Sequence, residues 1–184
     1  MPDAPAHPAI QRVLDAAARK GVTLEVIQFD ESTHTAAEAA AALDVELGQI
    51  VKSLVFVIPA AAGGEPVLCR VAGHNRVDLA RLAAITSAPD IRRATAREAH
   101  DLTGFSIGGI PPIGTERAVR VIMDPDLGRY PVVWAAAGLP TAVFGVPPGT
   151  LRILSNAMVA PIADETTTVR EDEPTVAAGQ IAGG

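Results

Sequence analysis

Apolar residues at helical spacing open the chain. Ile10, Val13, Leu14 and Ala17 share one face of residues 8–20, which predicts a helix ended by Gly21. Alternation takes over at 22–29, where Val22, Leu24 and Val26 point one way, as in a strand. Thr35 with Glu38 three positions on is a capping box, and it predicts a helix through Leu43. Residues 51–58, VKSLVFVI, are nearly continuous in apolar character, as in a buried strand. Gly63 and Gly64 turn the chain into a second strand over 66–71. A helix over 77–84 is started by Asn75 or Asp78, a short strand covers 89–93, and Thr95 caps a helix through Leu102. Further strands are predicted at 119–123, 131–135 and 140–145, then a short helix begun by Pro147-Pro148 and a last strand over 157–162. Helices interrupt locally pairing strands, so the predicted class is α+β: a mixed sheet with helices packed around it.

Composition narrows the function classes. The chain has 184 residues, 48% of them hydrophobic and 20% charged, which fits one globular domain. Aromatic residues are only 3%, which argues against a sheet that stacks nucleobases on aromatic rings. Cys69 is the single cysteine, so an intrachain disulfide and a cysteine-based zinc site are excluded, and a core role is expected. His7, His34, His74 and His100 stand in no HExxH or His-x-His context, so neither a metal nor another cofactor is expected. There is no signal-peptide pattern and no apolar run near the ~20 residues that span a bilayer, so a cytoplasmic protein without a membrane partner is expected. The net charge of −6 is uneven: residues 164–184 hold five acids and one base, leaving −2 over residues 1–163. The expected organisation is therefore one domain over 1–163 and an acidic, disordered tail over 164–184.

Two segments stand out chemically. Lysine is rare, at Lys20 and Lys52 only, and Lys52 sits in a strand that is otherwise apolar. Alternation puts Lys52, Leu54 and Phe56 on one face and Val51, Ser53, Val55 and Val57 on the other. Lys52 either snorkels to water or places a cation at the mouth of a pocket, to grip a phosphate or carboxylate or to polarise a carbonyl. The second segment is GFSIGGIPPIG, residues 104–114, with four glycines and two prolines, yet apolar Phe105, Ile107, Ile110 and Ile113. It is either an ordinary long loop or a ligand-facing one whose amides hold an anion or oxyanion. It matches neither the dinucleotide nor the Walker spacing, and no Gly-x-Ser-x-Gly elbow occurs. Asp124 in Asp-Pro-Asp reads as a turn residue before a catalytic one, and Arg76 as a solvated base or a phosphate contact.

Together VKSLVF (51–56), AGHNRVDLARLAAI (72–85) and TGFSIGGIPPIG (103–114) resemble the YbaK/prolyl-tRNA-synthetase-associated editing family, with VVWAAAGLPTAVFGV (132–146) fitting downstream. The resemblance covers about residues 8–163. It implies a mixed, partly barrel-like sheet surrounded by helices. It implies hydrolysis, in trans, of a wrong small amino acid from the 3′ end of an aminoacyl-tRNA, with an aminoacyl-tRNA synthetase as a plausible partner. The family's lysine falls on Lys52, its glycine loop on residues 104–114 with Gly108 and Gly109 as oxyanion donors, its following hydroxyl on Ser53, and an aromatic position on Phe29. Arg76, Ser106, Ile107, Ile110, Pro111 and Gly138 complete the expected substrate contacts. Members that clear cysteine carry a Ser-Gly-Gly turn, an Asp a few residues later and a Tyr; here those positions read Ala136-Ala137-Gly138, fall near Val143, and hold Phe29. Cysteine specificity is therefore not implied. The expected mechanism is binding catalysis: Lys52 anchors a phosphate or the ester carbonyl, loop amides hold the oxyanion, and water or a substrate group attacks. The alternatives are an inactive binding module of the same fold, for tRNA, a nucleotide or a protein, and a hydrolase of another small ester or amide. The lysine's ammonium is expected to point into a pocket walled by residues 106–112.

Overall fold

A computed structural model describes residues 6–31, 33 and 35–164. Helix α1 (Pro8–Ala18) is entered through His7, whose Nδ1 accepts from the Ala9 amide at 3.2 Å, and buries Ile10, Val13, Ala16 and Ala17. Strand β1 (Val26–Gln28) is shorter than the alternation predicts, because only these residues find a partner strand. Helix α2 (Ala36–Leu43) carries the expected capping box between Thr35 and Glu38. A 3₁₀ turn at Leu47–Gln49, not foreseen, leads into β2 (Val51–Ile58), and the two glycines at 63 and 64 turn β2 into β3 (Glu65–Ala72). Then come α3 (Leu79–Thr86), capped by Asp78, β4 (Arg92–Arg93) and α4 (Ala96–Thr103), capped by Thr95 and Glu98. The last elements are β5 (Arg120–Met123), a 3₁₀ turn at Pro125–Arg129, β6 (Val133–Ala136), β7 (Ala142–Val146), α5 (Pro148–Ser155) and β8 (Met158–Val159).

The strands form two sheets and do not close into a barrel. The larger has the order β4-β2-β3-β5-β8, antiparallel through β4, β2 and β3 and parallel from β3 onward; the smaller is antiparallel, β1-β7-β6. A parallel bridge between Ile50 and Trp134 joins the start of β2 to the smaller sheet. The fold is α+β, as predicted.

The register of the β2–β3 hairpin sorts side chains between two cores. Opposite residues in an antiparallel pair share a face, and the pairs include Val51 with Ala72, Ser53 with Arg70, and Val55 with Leu68. This face meets α1, the 104–114 loop and the smaller sheet. The intervening residues, Leu54 and Phe56 with Val67, Cys69 and Val71, pack beneath α3 around Leu82. Among the described residues no helix is long and apolar enough to cross a membrane. The predicted tail, apart from Asp164, lies outside the described residues, as does His34.

Candidate functional site

Where the two sheets meet, a cleft opens on the first of these faces. Its walls are Ile50, Val51 and Ser53 of the β2 segment, Trp134 and Ala136 of β6, Val143 of β7, and Gly108, Ile110 and Pro140 from two loops, with Thr33 and Ala39 at its side. The space between these walls is about 430 Å³, with the open solvent at its mouth included. Apart from Thr33 and Ser53, the lining side chains are apolar or small.

Close backbone packing builds the wall contributed by the glycine loop. A side chain on Gly109 would bring its Cβ to 2.7 Å from the Gly138 carbonyl oxygen and 2.8 Å from the Leu139 Cα, so only glycine lets the two segments touch. Gly138 has φ +99° and backs onto α1, where a Cβ would meet the Ala9 carbonyl oxygen at 2.7 Å. Arg12 of α1 holds the loop's start: its Nη2 donates to the Gly104 carbonyl at 2.7 Å and its guanidinium lies 3.7 Å from the Phe105 ring centre. Within the loop the Gly109 amide donates to the Ser106 carbonyl at 3.0 Å. The Gly108 and Ile110 amides have no hydrogen-bond partner among the described residues, and both residues line the cleft. Two free donors on one loop turn suit an oxygen that gains negative charge.

The expected site residues divide. Ser53, Gly108 and Ile110 line the cleft. Gly109 and Gly138 form the contact beneath it. Ile107 lies on a smaller adjoining recess that also holds Ser53, Val55, Arg93 and Ile110. Pro111 is buried and Ser106 is exposed. Phe29 is half-buried near the rim, its amide donating to Thr141 beside Pro140. Arg76 is exposed on the turn after β3 and is not a cleft wall. Lys52 is the second residue of β2. It is 2% exposed, but alternation sends it to the face of Leu54 and Phe56, and it lines neither the cleft nor the recess. Gly109 uses its amide inside the loop.

Other candidates resolve into structure. The Asp124 carboxylate accepts from the Asp126, Ile162 and Ala163 amides at 2.8–3.0 Å, which ties the turn after β5 to the chain's last described segment. The Cys69 thiol is buried and pushed up to about 12, chiefly by desolvation, as an inert core group. Among the described residues no cluster of three His, Cys, Asp or Glu side chains could hold a metal.

Sequence reasoning missed Arg70. It is fully buried, and its Nη2 donates to the Pro111 carbonyl at 2.8 Å. Among the described residues its Nε and Nη1 have no partner, and neither does the buried Ser53 Oγ across the strand pair. Desolvation lowers its pKa to about 10, so it stays charged at neutral pH. The signal was present: an arginine in the otherwise apolar VLCRV, two strands joined by a tight Gly-Gly turn, and the register that follows from it.

The profile described as "Aminoacyl-tRNA editing domain" matches residues 30–154. A Bacillus subtilis protein, YwhH, without an assigned role, is 29% identical over 135 residues, 73% of this chain and 83% of that one. A proline–tRNA ligase of Lactobacillus gasseri is 32% identical over 95 residues, 51% of this chain but only 16% of the ligase. Among solved structures, a candidate trans-editing enzyme for prolyl tRNA synthetase superposes with a TM-score of 0.80 at 42% identity, covering 87% of this chain and 99% of that one. The hypothetical protein APE2540 gives 0.76 at 27% identity, covering 83% and 99%.

Proposed function

The chain belongs to the aminoacyl-tRNA editing domain family, and from that premise and the geometry of the cleft we propose that it hydrolyses the ester of a small amino acid on the 3′ end of a tRNA. The observation that carries this reading is the cleft itself: apolar-walled, and lined by Ser53 and by Gly108 and Ile110, whose amides have no hydrogen-bond partner among the described residues. Water attacks the ester carbonyl carbon, and the carbonyl oxygen becomes the oxyanion that the loop amides receive. The carbon–oxygen bond to the ribose breaks, the ribose oxygen takes one of the water's protons, and the amino acid leaves as a carboxylate, its other proton passing to solvent. One well-placed donor is worth about 3 kcal/mol in such a step. Ala136, Val143 and Pro140 leave room for a small side chain and exclude a large one. A pocket of this kind discriminates by only ~1–3 kcal/mol per methylene, so its selectivity is for small residues as a class.

Lys52 has a different place in this proposal from the one its position in sequence implied. It stands between two cleft residues, Val51 and Ser53, with its side chain on the reverse face. In this reading its charge is assigned no direct contact with the ester. The synthetase as a partner rests on the likeness to proline–tRNA ligases and to the trans-editing candidate.

The test is a deacylation panel with tRNAs carrying alanine, serine, cysteine and proline. Release of one or more small amino acids supports the proposal, and Lys52→Ala measures how far the charge behind the strand matters. Tight tRNA binding with no release of any amino acid would overturn it in favour of a binding module.

A further inference from the structure

Arg70 presents a physical problem. A guanidinium withdrawn from water costs several kcal/mol unless its donors are matched. Here it is fully buried and, among the described residues, makes one hydrogen bond to a neutral carbonyl and has no carboxylate partner. Two of its nitrogens are unmatched. Such a group is held in place by the fold against its own preference, and buried polar groups of this kind call for a reason.

Its surroundings supply one. The β2–β3 register sets Arg70 directly across from Ser53, on the same face of the sheet. Ser53 lines both the cleft and the adjoining recess, and its hydroxyl is unmatched too. The carbonyl that Arg70 does bind belongs to Pro111, one residue beyond Ile110, which lines the cleft. Lys52, the other basic residue of the hairpin, is on the opposite face.

We propose that Arg70 is the positioning cation of the cleft: it fixes the glycine loop through Pro111 and sets a positive charge under Ser53 that favours an anionic tetrahedral group over a neutral ester. This rests on the deacylase reading for the identity of the ligand, an oxyanion derived from an aminoacyl ester of adenosine. Arg70 acts through its neighbours and does not itself touch the substrate.

The experiment compares the full chain with Arg70→Met and Arg70→Lys. Two adenosine ligands are used: a neutral amide, in which alanine is joined to 3′-amino-3′-deoxyadenosine, and an anionic phosphonate monoester of the same shape. Their affinities are measured by calorimetry beside deacylation kinetics. The intact protein is expected to prefer the phosphonate by about 100-fold, the scale of one oxyanion donor. Arg70→Met should erase that preference, lower kcat by a similar factor and leave KM within about threefold. Arg70→Lys, which keeps the charge, should recover at least a tenth of both. Melting temperature is the control: Arg70→Met should hold or raise it, because an isosteric apolar side chain relieves the buried charge.

An intact protein with no preference for the anion overturns the proposal. So does an Arg70→Met protein that keeps the preference, or one whose loss lies wholly in KM. If Arg70→Met does not fold, Arg70→Lys decides alone: equal affinities for the two ligands in a folded protein that has kept its charge would refute the role. A phosphonate preference that depends on Arg70, in a protein that releases no amino acid, would sink the deacylase reading and leave the anion site standing.

Discussion

The two faces of the β2–β3 hairpin come from one stretch of chain and obey opposite rules. On the reverse face Leu54, Phe56, Val67, Cys69 and Val71 close an apolar core against Leu82 and Ile122, with Lys52 at the strand's entrance the one buried charged residue of the hairpin on that face. The one thiol there is suppressed by burial. On the cleft face the same strands interleave Val51, Val55 and Leu68 with Ser53 and Arg70, whose polar atoms go without partners. Burial is equally deep on both sides: Cys69 and Arg70 are adjacent and both 0% exposed. Depth alone therefore does not distinguish a core from a site. The distinguishing feature is unmatched hydrogen-bonding capacity next to a cleft, which a core eliminates and a site keeps.

The comparison predicts that substitutions on the two faces separate stability from activity. The largest effect is expected from Leu82→Ala, which empties a 0%-exposed position of the reverse core. Such truncations cost about 2–5 kcal/mol. For a chain of this size each kcal/mol lowers the melting temperature by ~2–4 °C. Deacylation by the remaining folded protein should keep its kcat. A matching fall in kcat below the melting transition would mean that the faces are not independent. Next is Gly109→Ala, on the cleft side. The added methyl meets Gly138 and Leu139 backbone, which cannot yield as a side chain would. Overpacking costs roughly 1–3 kcal/mol in stability. The displaced loop should lose a further factor of about 100 in kcat, the worth of one misplaced donor. Normal turnover in Gly109→Ala would remove the loop from the mechanism.

Ser53→Ala sharpens the contrast at smaller amplitude. It deletes a buried hydroxyl that has no partner, so stability should stay level or rise by up to about 1 kcal/mol. Turnover should nevertheless fall about fivefold, because Ser53 is the hydroxyl opposite Arg70 in register and a hydrogen bond of ordinary strength is worth ~1 kcal/mol. Stability and kcat moving in opposite directions is the signature of a group kept for function. A loss of stability with unchanged kcat would class Ser53 with Leu54.

Much of this was legible in the sequence, and the limits have physical causes. Caps and turns speak locally: Thr35 with Glu38, Thr95 with Glu98, and Gly63-Gly64 each declare themselves within a few residues, and the structure has them there. The short strands β1, β4 and β8 were drawn too long, since strand ends are set by partners elsewhere in the chain. Alternation correctly put Ser53 and Lys52 on opposite faces of β2. It did not say which face the glycine loop would cover. Arg70 was overlooked because its meaning depends on register: nothing within VLCRV tells that the arginine faces Ser53 until the hairpin is paired. The contact between Gly109 and Gly138 joins segments about thirty positions apart and had no local sign at all.

The smallest effect belongs to a contact outside both faces. Glu98 of α4 accepts both Arg92 nitrogens of β4, at 2.8 and 3.0 Å, and the Thr95 amide at 2.9 Å. The Arg92 hydrogen bonds, then the Thr95 amide, hold its carboxyl at about 2, below the ordinary 4.5. A depressed carboxylate stabilises the fold above its unfolded pKa, and that contribution fades as pH falls from about 4.5 through about 2. Arg92 is half exposed, 49% by side chain, so screening limits the pair to no more than about 1 kcal/mol. Unfolding Glu98→Gln beside the unaltered protein should show a gap of that size at pH 7, closing by pH 2. Because neither partner meets the cleft, kcat at pH 7 should be the same in both. A gap independent of pH would assign the effect to helix capping alone, and an altered kcat would make the β4–α4 connection part of the cleft face.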